Sequence, residues 1–262
     1  MMLIVGTPLV ILPLTWLLLN LGAASTRIQY FVLAFGALGH NLPGMLRAYG
    51  DRALFQRFRT RFILAPVAFL AICTTSAIYD SGAIVILAYL WSVWHAMMQI
   101  YGFMRIYDAK AGSTQSVTAR LDLALCAIWF AGAIAFSPSR FYFLSGMLAD
   151  YGIPALGVQG LSTLRVVMGV LMAGVAIVHL GHRYSRAKAG LPANWVKDLL
   201  ILSSLGSWWF AHIVIDDVIL GLIMFEVFHD VQYLTIVWLF NCRRVDSGQG
   251  VGRFTGFLFR RS

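Results

Sequence analysis

Long apolar stretches recur along the whole of this 262-residue chain, and short polar segments separate them. Each stretch is long enough to cross ~30 Å of hydrocarbon as a helix, and their uniform apolarity lacks the alternation of barrel strands. The pattern predicts an all-α, polytopic transmembrane helix bundle of about eight spans. Their expected bounds are 2–21, 28–46, 62–78, 83–104, 121–137, 161–181, 197–215 and 219–240. Only DDVILG separates the last two, so one long bent helix is the alternative there.

Basic residues are segregated between alternate connections. All but three of the 20 lysines and arginines fall in residues 47–61, 105–120, 183–197 and the tail. Arg27, Arg140 and Arg165 are left for the opposite side. The positive-inside rule then places both termini in the cytoplasm, and we expect a bacterial inner membrane.

The composition indicates an integral membrane protein, because 60% of the residues are hydrophobic and only 12% are charged. The net charge of +9 fits an anionic membrane surface rather than nucleic acid, since the basic residues follow the topology. Three widely spaced cysteines predict neither disulfides nor a cysteine metal cluster. We expect one transmembrane domain, 1–242, and a basic cytoplasmic or interfacial tail, 243–262. A homo-oligomer is compatible with this organisation.

The most polar of the apolar stretches contains EVFHDVQYLTIVW, residues 226–238. An ionisable side chain at the centre of a membrane helix costs ~2.5–3.5 kcal/mol, so several together indicate a functional site. Glu226, His229, Asp230 and Tyr233 are spaced i, i+3, i+4 and i+7 and therefore share one helix face. Asp230, Glu226 and Tyr233 are the catalytic candidates of this face.

Three histidines on different spans, His40, His95 and His229, lie near the expected middle of the bilayer. Gly44 shares the helix face of His40 and would let a neighbouring helix or a ligand approach it. Neutral imidazoles bind iron, zinc or copper, so the three predict a shared metal site. Glu226 is the only glutamate of the chain, which argues against a standard di-iron centre.

Other polar residues are expected to support this site. His212 is a candidate fourth ligand, and Gln99 and Asp216 are candidates for orienting the ligands. The alternative for any single histidine is a hydrogen bond to a backbone carbonyl. The residues expected to lie outside the site, near the cytoplasmic or juxtamembrane ends of spans, are His179, His182, Asp108, Asp122 and Asp198.

The contexts of the three histidines resemble those of the bacterial and archaeal Brp/Blh family of membrane-embedded carotene-cleaving dioxygenases. LGHNLPG resembles the family's first element through His40, SVWHAMMQ the second through His95, and VFHDVQYLTIVW the third through His229. The resemblance covers about thirty residues. It implies non-haem iron held by histidines from an early, a middle and a late span, and an apolar substrate.

The chain departs from the family's pattern at two places. Tyr233 stands where the family's second late histidine would fall, so the fourth ligand could be His212, Tyr233 or Asp230. The Pro-His-Gly of the first element is absent, because Gly39 and Asn41 flank the histidine.

The favoured function is a membrane-embedded metal-dependent oxidoreductase, an iron oxygenase that uses dioxygen on a lipophilic substrate from the bilayer. Aromatic groups such as Trp91, Trp94 and Tyr101 would line an apolar slot for it. One alternative is a proton-coupled transporter or channel with an intramembrane relay of glutamate, histidine and aspartate. The other is a haem- or pigment-binding subunit of a larger complex, with facing histidines as axial ligands.

Overall fold

The computed structural model describes residues 2–22, 24–34, 38–191, 193–248, 256–257 and 259–260, and these form helices without a β-strand. The helices are α1 (Met2–Asn20), α2 (Ser25–Val32), α3 (Leu38–Gly50), α4 (Arg52–Arg57), α5 (Arg59–Ile78), α6 (Ala83–Lys110), α7 (Ser116–Phe136), α8 (Pro138–Ala149), α9 (Val158–Lys188), α10 (Trp195–Trp209) and α11 (Val218–Asp246). A π-helical turn, Phe210–Val214, follows α10. The all-α prediction is confirmed.

Five helices in the described part of the chain are long and apolar enough to cross a membrane: α5, α6, α7, α9 and α11. A shorter apolar helix covers Ile4–Asn20. No residue of α5 is buried, and apolar side chains such as Leu70 cover its surface, as contact with hydrocarbon would require. The predicted second span, 28–46, overlaps α2 and α3, and residues 35–37 between them lie outside the described residues. The predicted tail begins inside α11, and parts of it lie outside the described residues.

The chain divides into two compact units. Unit 1 comprises residues 1–84 and 226–262, and unit 2 comprises residues 85–225. In unit 1, the Tyr49 hydroxyl donates a hydrogen bond to the Phe62 carbonyl at 2.8 Å and so joins α3 to α5. The Gln232 side chain donates to the Ile4 carbonyl at 2.8 Å and joins α11 to α1.

Asp51 connects two segments of unit 1 through one carboxylate. One of its oxygens accepts hydrogen bonds from the amides of Ala53 and Leu54 and caps α4. The other accepts from Arg244 of α11 at 3.1 Å. The Leu54 amide, opposed by burial and aided by Arg244, lowers the pKa of Asp51 below its usual value of 3.8.

The core of unit 2 forms where α7 packs against α8, α9 and α10. Phe130 of α7 stacks on Trp208 of α10 with ring centroids 4.2 Å apart, and the indole N–H donates to the Phe130 carbonyl. Gly132 brings α9 close, because a Cβ at this position would lie 2.5 Å from the sulfur of Met172. Aromatic stacking and a small residue thus join three helices in one contact region.

A buried arginine holds the break between the π-helical turn and α11. Arg140 of α8 is 1% exposed, and its guanidinium donates to the carbonyls of Ala211 at 2.9 Å, Asp217 at 3.0 Å and Ile215. Irregular backbone inside an apolar protein is stable only when other groups of the protein satisfy its polar atoms. The predicted seventh and eighth spans are therefore separate helices, divided at residues 215–217.

We expect the substitution Arg140→Met to lower the free energy of unfolding by about 3 kcal/mol or more, because it leaves the carbonyls of residues 211, 215 and 217 without this donor. Thermal unfolding of the full chain in detergent measures the effect. Arg120→Met removes an exposed arginine and serves as the control. Equal losses in the two variants would contradict the structural role of Arg140.

We expect Asp51→Ala to cost about 1 kcal/mol at neutral pH, because it removes a helix cap. Since the folded-state pKa of Asp51 is lowered, its stabilisation is present above pH 3.8 and is lost as the pH falls through the folded-state pKa. The free energies of unfolding of the variant and the native chain, measured as a function of pH, should therefore become equal in acid. Asp150→Ala, at an exposed position, is the control.

Candidate functional site

The polar face predicted for residues 226–233 lies on one continuous helix, α11, in the part of it that belongs to unit 1. Glu226, His229, Asp230 and Tyr233 all belong to α11, with the predicted spacing of i, i+3, i+4 and i+7. His229 is 1% exposed and Asp230 is 3% exposed. Such burial requires that the carboxylate meets a partner of complementary charge or hydrogen-bonding capacity.

His40 of α3 supplies that partner. Its Nδ1 atom lies 2.7 Å from an oxygen of Asp230 and 3.8 Å from an oxygen of Glu226. The imidazole is therefore placed beside carboxylates from two successive turns of α11. A carboxylate oxygen this close to Nδ1 requires a proton or another cation to offset the charge, because both atoms carry lone pairs.

Two further rings of α11 surround the same imidazole. The ring centroids of His229 and Tyr233 lie 5.6 Å and 5.7 Å from that of His40, both with edge-to-face geometry. Gly44, one turn after His40, permits this approach, because a Cβ there would lie 2.8 Å from the Tyr233 hydroxyl oxygen. The close approach predicted for Gly44 from the sequence is thus present between α3 and α11.

The side chains of this cluster form a donor set suited to a divalent metal. Ligand atoms of His40, Glu226 and Asp230 lie within 4.8 Å of one another, and the imidazole of His229 is adjacent. Two imidazoles with a carboxylate are the ligand types of mononuclear non-haem iron sites. A carboxylate on the second nitrogen of a ligand histidine is also the usual device for fixing its orientation. The ligand types of this cluster therefore suit a divalent metal ion.

The remaining residues predicted for the metal site belong to unit 2. His95 and Gln99 lie on α6, and Asp216 lies at the break before α11, where it is exposed. His212 is 1% exposed, and its Nδ1 lies 2.9 Å from the Trp208 carbonyl oxygen, so this nitrogen carries the proton. Its ring centroid lies 3.7 Å from that of Trp208. The participation of these four residues in the site stays a prediction.

A second polar cluster, which we name the Lys197 network, lies in unit 2 and was missed by the sequence analysis. The Lys197 ammonium donates to Asp108 at 2.8 Å and to Asp122 at 2.6 Å. Arg105 pairs with both aspartates, and His179 Nε2 lies 3.0 Å from Asp122. Asp122 is fully buried and Lys197 is 6% exposed. These pairings add to the prediction from the sequence, which named the two aspartates only as charges near the ends of spans.

Two sequence features could have indicated the Lys197 network. Arg105 and Asp108 are spaced i, i+3 at the end of an apolar helix, and Asp122 begins the apolar run LDLALCAIWF. A charge placed in such a run needs a buried partner. Lys197 is 75 residues away from Asp122 in the sequence, so spacing alone could not identify it.

No protein-family model, curated protein or solved structure matches the chain.

We expect Gly44→Ala to displace Tyr233 and to lower the free energy of unfolding by about 1 kcal/mol, because the added methyl group would crowd the hydroxyl. Thermal unfolding in detergent measures the effect. Gly50→Ala is the control on the same helix, since a Cβ at Gly50 meets nothing within 4 Å. Indistinguishable unfolding of the two variants would contradict close packing of α3 on α11.

Proposed function

We propose that the chain is a membrane-embedded metal-dependent oxidoreductase, a non-haem iron oxygenase that acts on a lipophilic substrate. The observation that supports it is the contact of His40 with the carboxylates of Glu226 and Asp230, beside His229. A buried imidazole between carboxylates inside an apolar protein is a costly arrangement, and a bound cation would offset its cost.

In this proposal His40 and His229 are the imidazole ligands, with His95 as the third ligand that the sequence predicts. Asp230 holds the ring of His40 through Nδ1, as supporting carboxylates do for metal-bound histidines. These residues would hold a ferrous ion, which when bound would supply the chemistry of dioxygen activation. His212, Gln99 and Asp216 keep their proposed roles as a further ligand and as orienting groups.

Glu226 and Tyr233 are the groups proposed to act on the substrate. The Glu226 side chain is 25% exposed and so connects the buried cluster with its surroundings, which suits a carboxylate that moves a proton. Tyr233 presents its ring to His40 and its hydroxyl group to Gly44. A lipophilic substrate would approach against such aromatic surface from the bilayer.

The proposal includes a topology of eight spans with both termini in the cytoplasm of a bacterial inner membrane. Its support is the segregation of basic residues, which puts residues 47–61, 105–120 and 183–197 on one side. The exposed indoles of Trp91 and Trp94, with ring centroids 5.0 Å apart, supply an aromatic surface that an apolar substrate from the bilayer could contact.

A proton-coupled transporter or channel is the second candidate, and the same contact favours it. An imidazole within 4 Å of carboxylates one helical turn apart can pass a proton between them without a metal. Glu226, His40 and Asp230 would then form the relay.

We expect the detergent-purified chain to carry iron, and His40→Ala and His229→Ala each to remove it, because each deletes an imidazole ligand. Asp230→Asn should weaken metal affinity by about 10- to 100-fold, as loss of an orienting carboxylate does. Elemental analysis of each preparation is the measurement.

His182→Ala, a histidine of unit 2 whose Nε2 contacts Thr118, is the control and should keep the iron. A metal-free native chain, or equal loss of metal from His182→Ala, would rule the metal site out. Uptake driven by a pH gradient in proteoliposomes, abolished by Glu226→Gln, would instead support the transporter.

A further inference from the structure

A small cavity of unit 2 opens beside the Lys197 network, where α6 and α9 end and α7 and α10 begin. Its volume is about 70 Å³, far below the ~300–1,000 Å³ of sites for organic ligands. It therefore suits one compact ion or group. The polar residues that line it include Asp108, Ser113, Thr118, Arg183, Arg186 and Lys197.

Most of the charges around this cavity are paired within the protein. Lys197 and Arg105 together face Asp108 and Asp122, two cations against two carboxylates. Arg183 pairs with Asp198 of α10. After these ion pairs are counted, one further cation remains on the side of the cavity that α9 forms. This cation is Arg186.

Arg186 has only neutral hydrogen-bond partners among the described residues. Its guanidinium donates to the Gln115 side-chain oxygen at 2.7 Å and to the Thr118 hydroxyl at 3.5 Å. The cavity therefore carries one positive charge in excess. An arginine with donors to spare binds tetrahedral oxyanions in a bidentate manner.

A second observation concerns Ser113, which is 8% exposed and lines the same cavity. Its hydroxyl has no hydrogen-bond partner within the described ranges. A buried hydroxyl without a partner is costly, and a ligand oxygen in the cavity would satisfy it. The N-terminus of α7 also lies here, and the Gln115 side chain does not cap it, so the helix dipole favours negative charge.

We propose that this cavity binds a single phosphate group, held by the Arg186 guanidinium and the Ser113 hydroxyl beside the Lys197 network. The group is either free inorganic phosphate or the phosphate of an anionic lipid headgroup. A basic pocket between membrane helices at the end predicted to be cytoplasmic is the setting in which such headgroups bind. The site is separate from the proposed metal site, and neither depends on the other.

The test titrates inorganic phosphate into the full chain reconstituted in phosphatidylcholine nanodiscs, with calorimetric detection. Arg186→Gln should raise the dissociation constant for phosphate at least about tenfold, because it removes a charge-assisted donor. Ser113→Ala should raise it a few fold without a change of charge. Lys188→Gln is the matched control, because Lys188 is exposed on the same helix, contacts Tyr184 and does not line the cavity.

A second arm distinguishes the two sources of phosphate. The native chain and the variants are purified from membranes that contain phosphatidylglycerol, and retained lipid is counted by native mass spectrometry. The site binds a lipid headgroup if the native chain and Lys188→Gln retain phosphatidylglycerol, Arg186→Gln loses it, and free phosphate gives no calorimetric response. Absence of both signals in the native chain, or equal losses in Arg186→Gln and Lys188→Gln, would overturn the proposal.

Discussion

An ionised carboxylate inside an apolar helical protein is stable only where a cation, an imidazole or a metal ion faces it. Both polar clusters of this chain follow from that constraint. In unit 1, the buried Asp230 meets His40 from another helix at 2.7 Å. In unit 2, the fully buried Asp122 meets Lys197 and His179. The two clusters differ in the partner that faces the carboxylate. The first consists of imidazoles and carboxylates. The second contains strong bases that neutralise its aspartates within the protein.

That difference separates the functional roles proposed for the clusters. Lys197 and Arg105 have high intrinsic basicity, so Asp108 and Asp122 find their counterions without outside help. An imidazole is a weaker base and also a metal ligand, so the cluster around His40 can accept a cation from outside. The contacts on which the proposed metal site rests, those of His40 with Glu226 and Asp230, therefore lie in unit 1, and the Lys197 network joins four helices of unit 2.

The all-helical class could be predicted from the sequence, because long stretches of uniform apolarity favour helices over barrel strands. The polar face of α11 could also be predicted, since its residues are close in the sequence and the helix period is fixed. Partners that lie far apart in the sequence could not be identified. Nothing in the local pattern joins Lys197 to Asp122, or Arg140 to the carbonyls at 211–217, because these contacts depend on how helices pack.

The arginine of α8 at the break before α11 also bears on the order in which the protein is made. Arg140 is synthesised about seventy residues ahead of the carbonyls that it binds, so it can already be in position when the later segment leaves the ribosome. The reverse order would expose unsatisfied backbone groups to lipid while the chain waited for its donor. The direction of translation therefore favours this arrangement, and a circular permutation that placed α8 after α11 would lose that advantage.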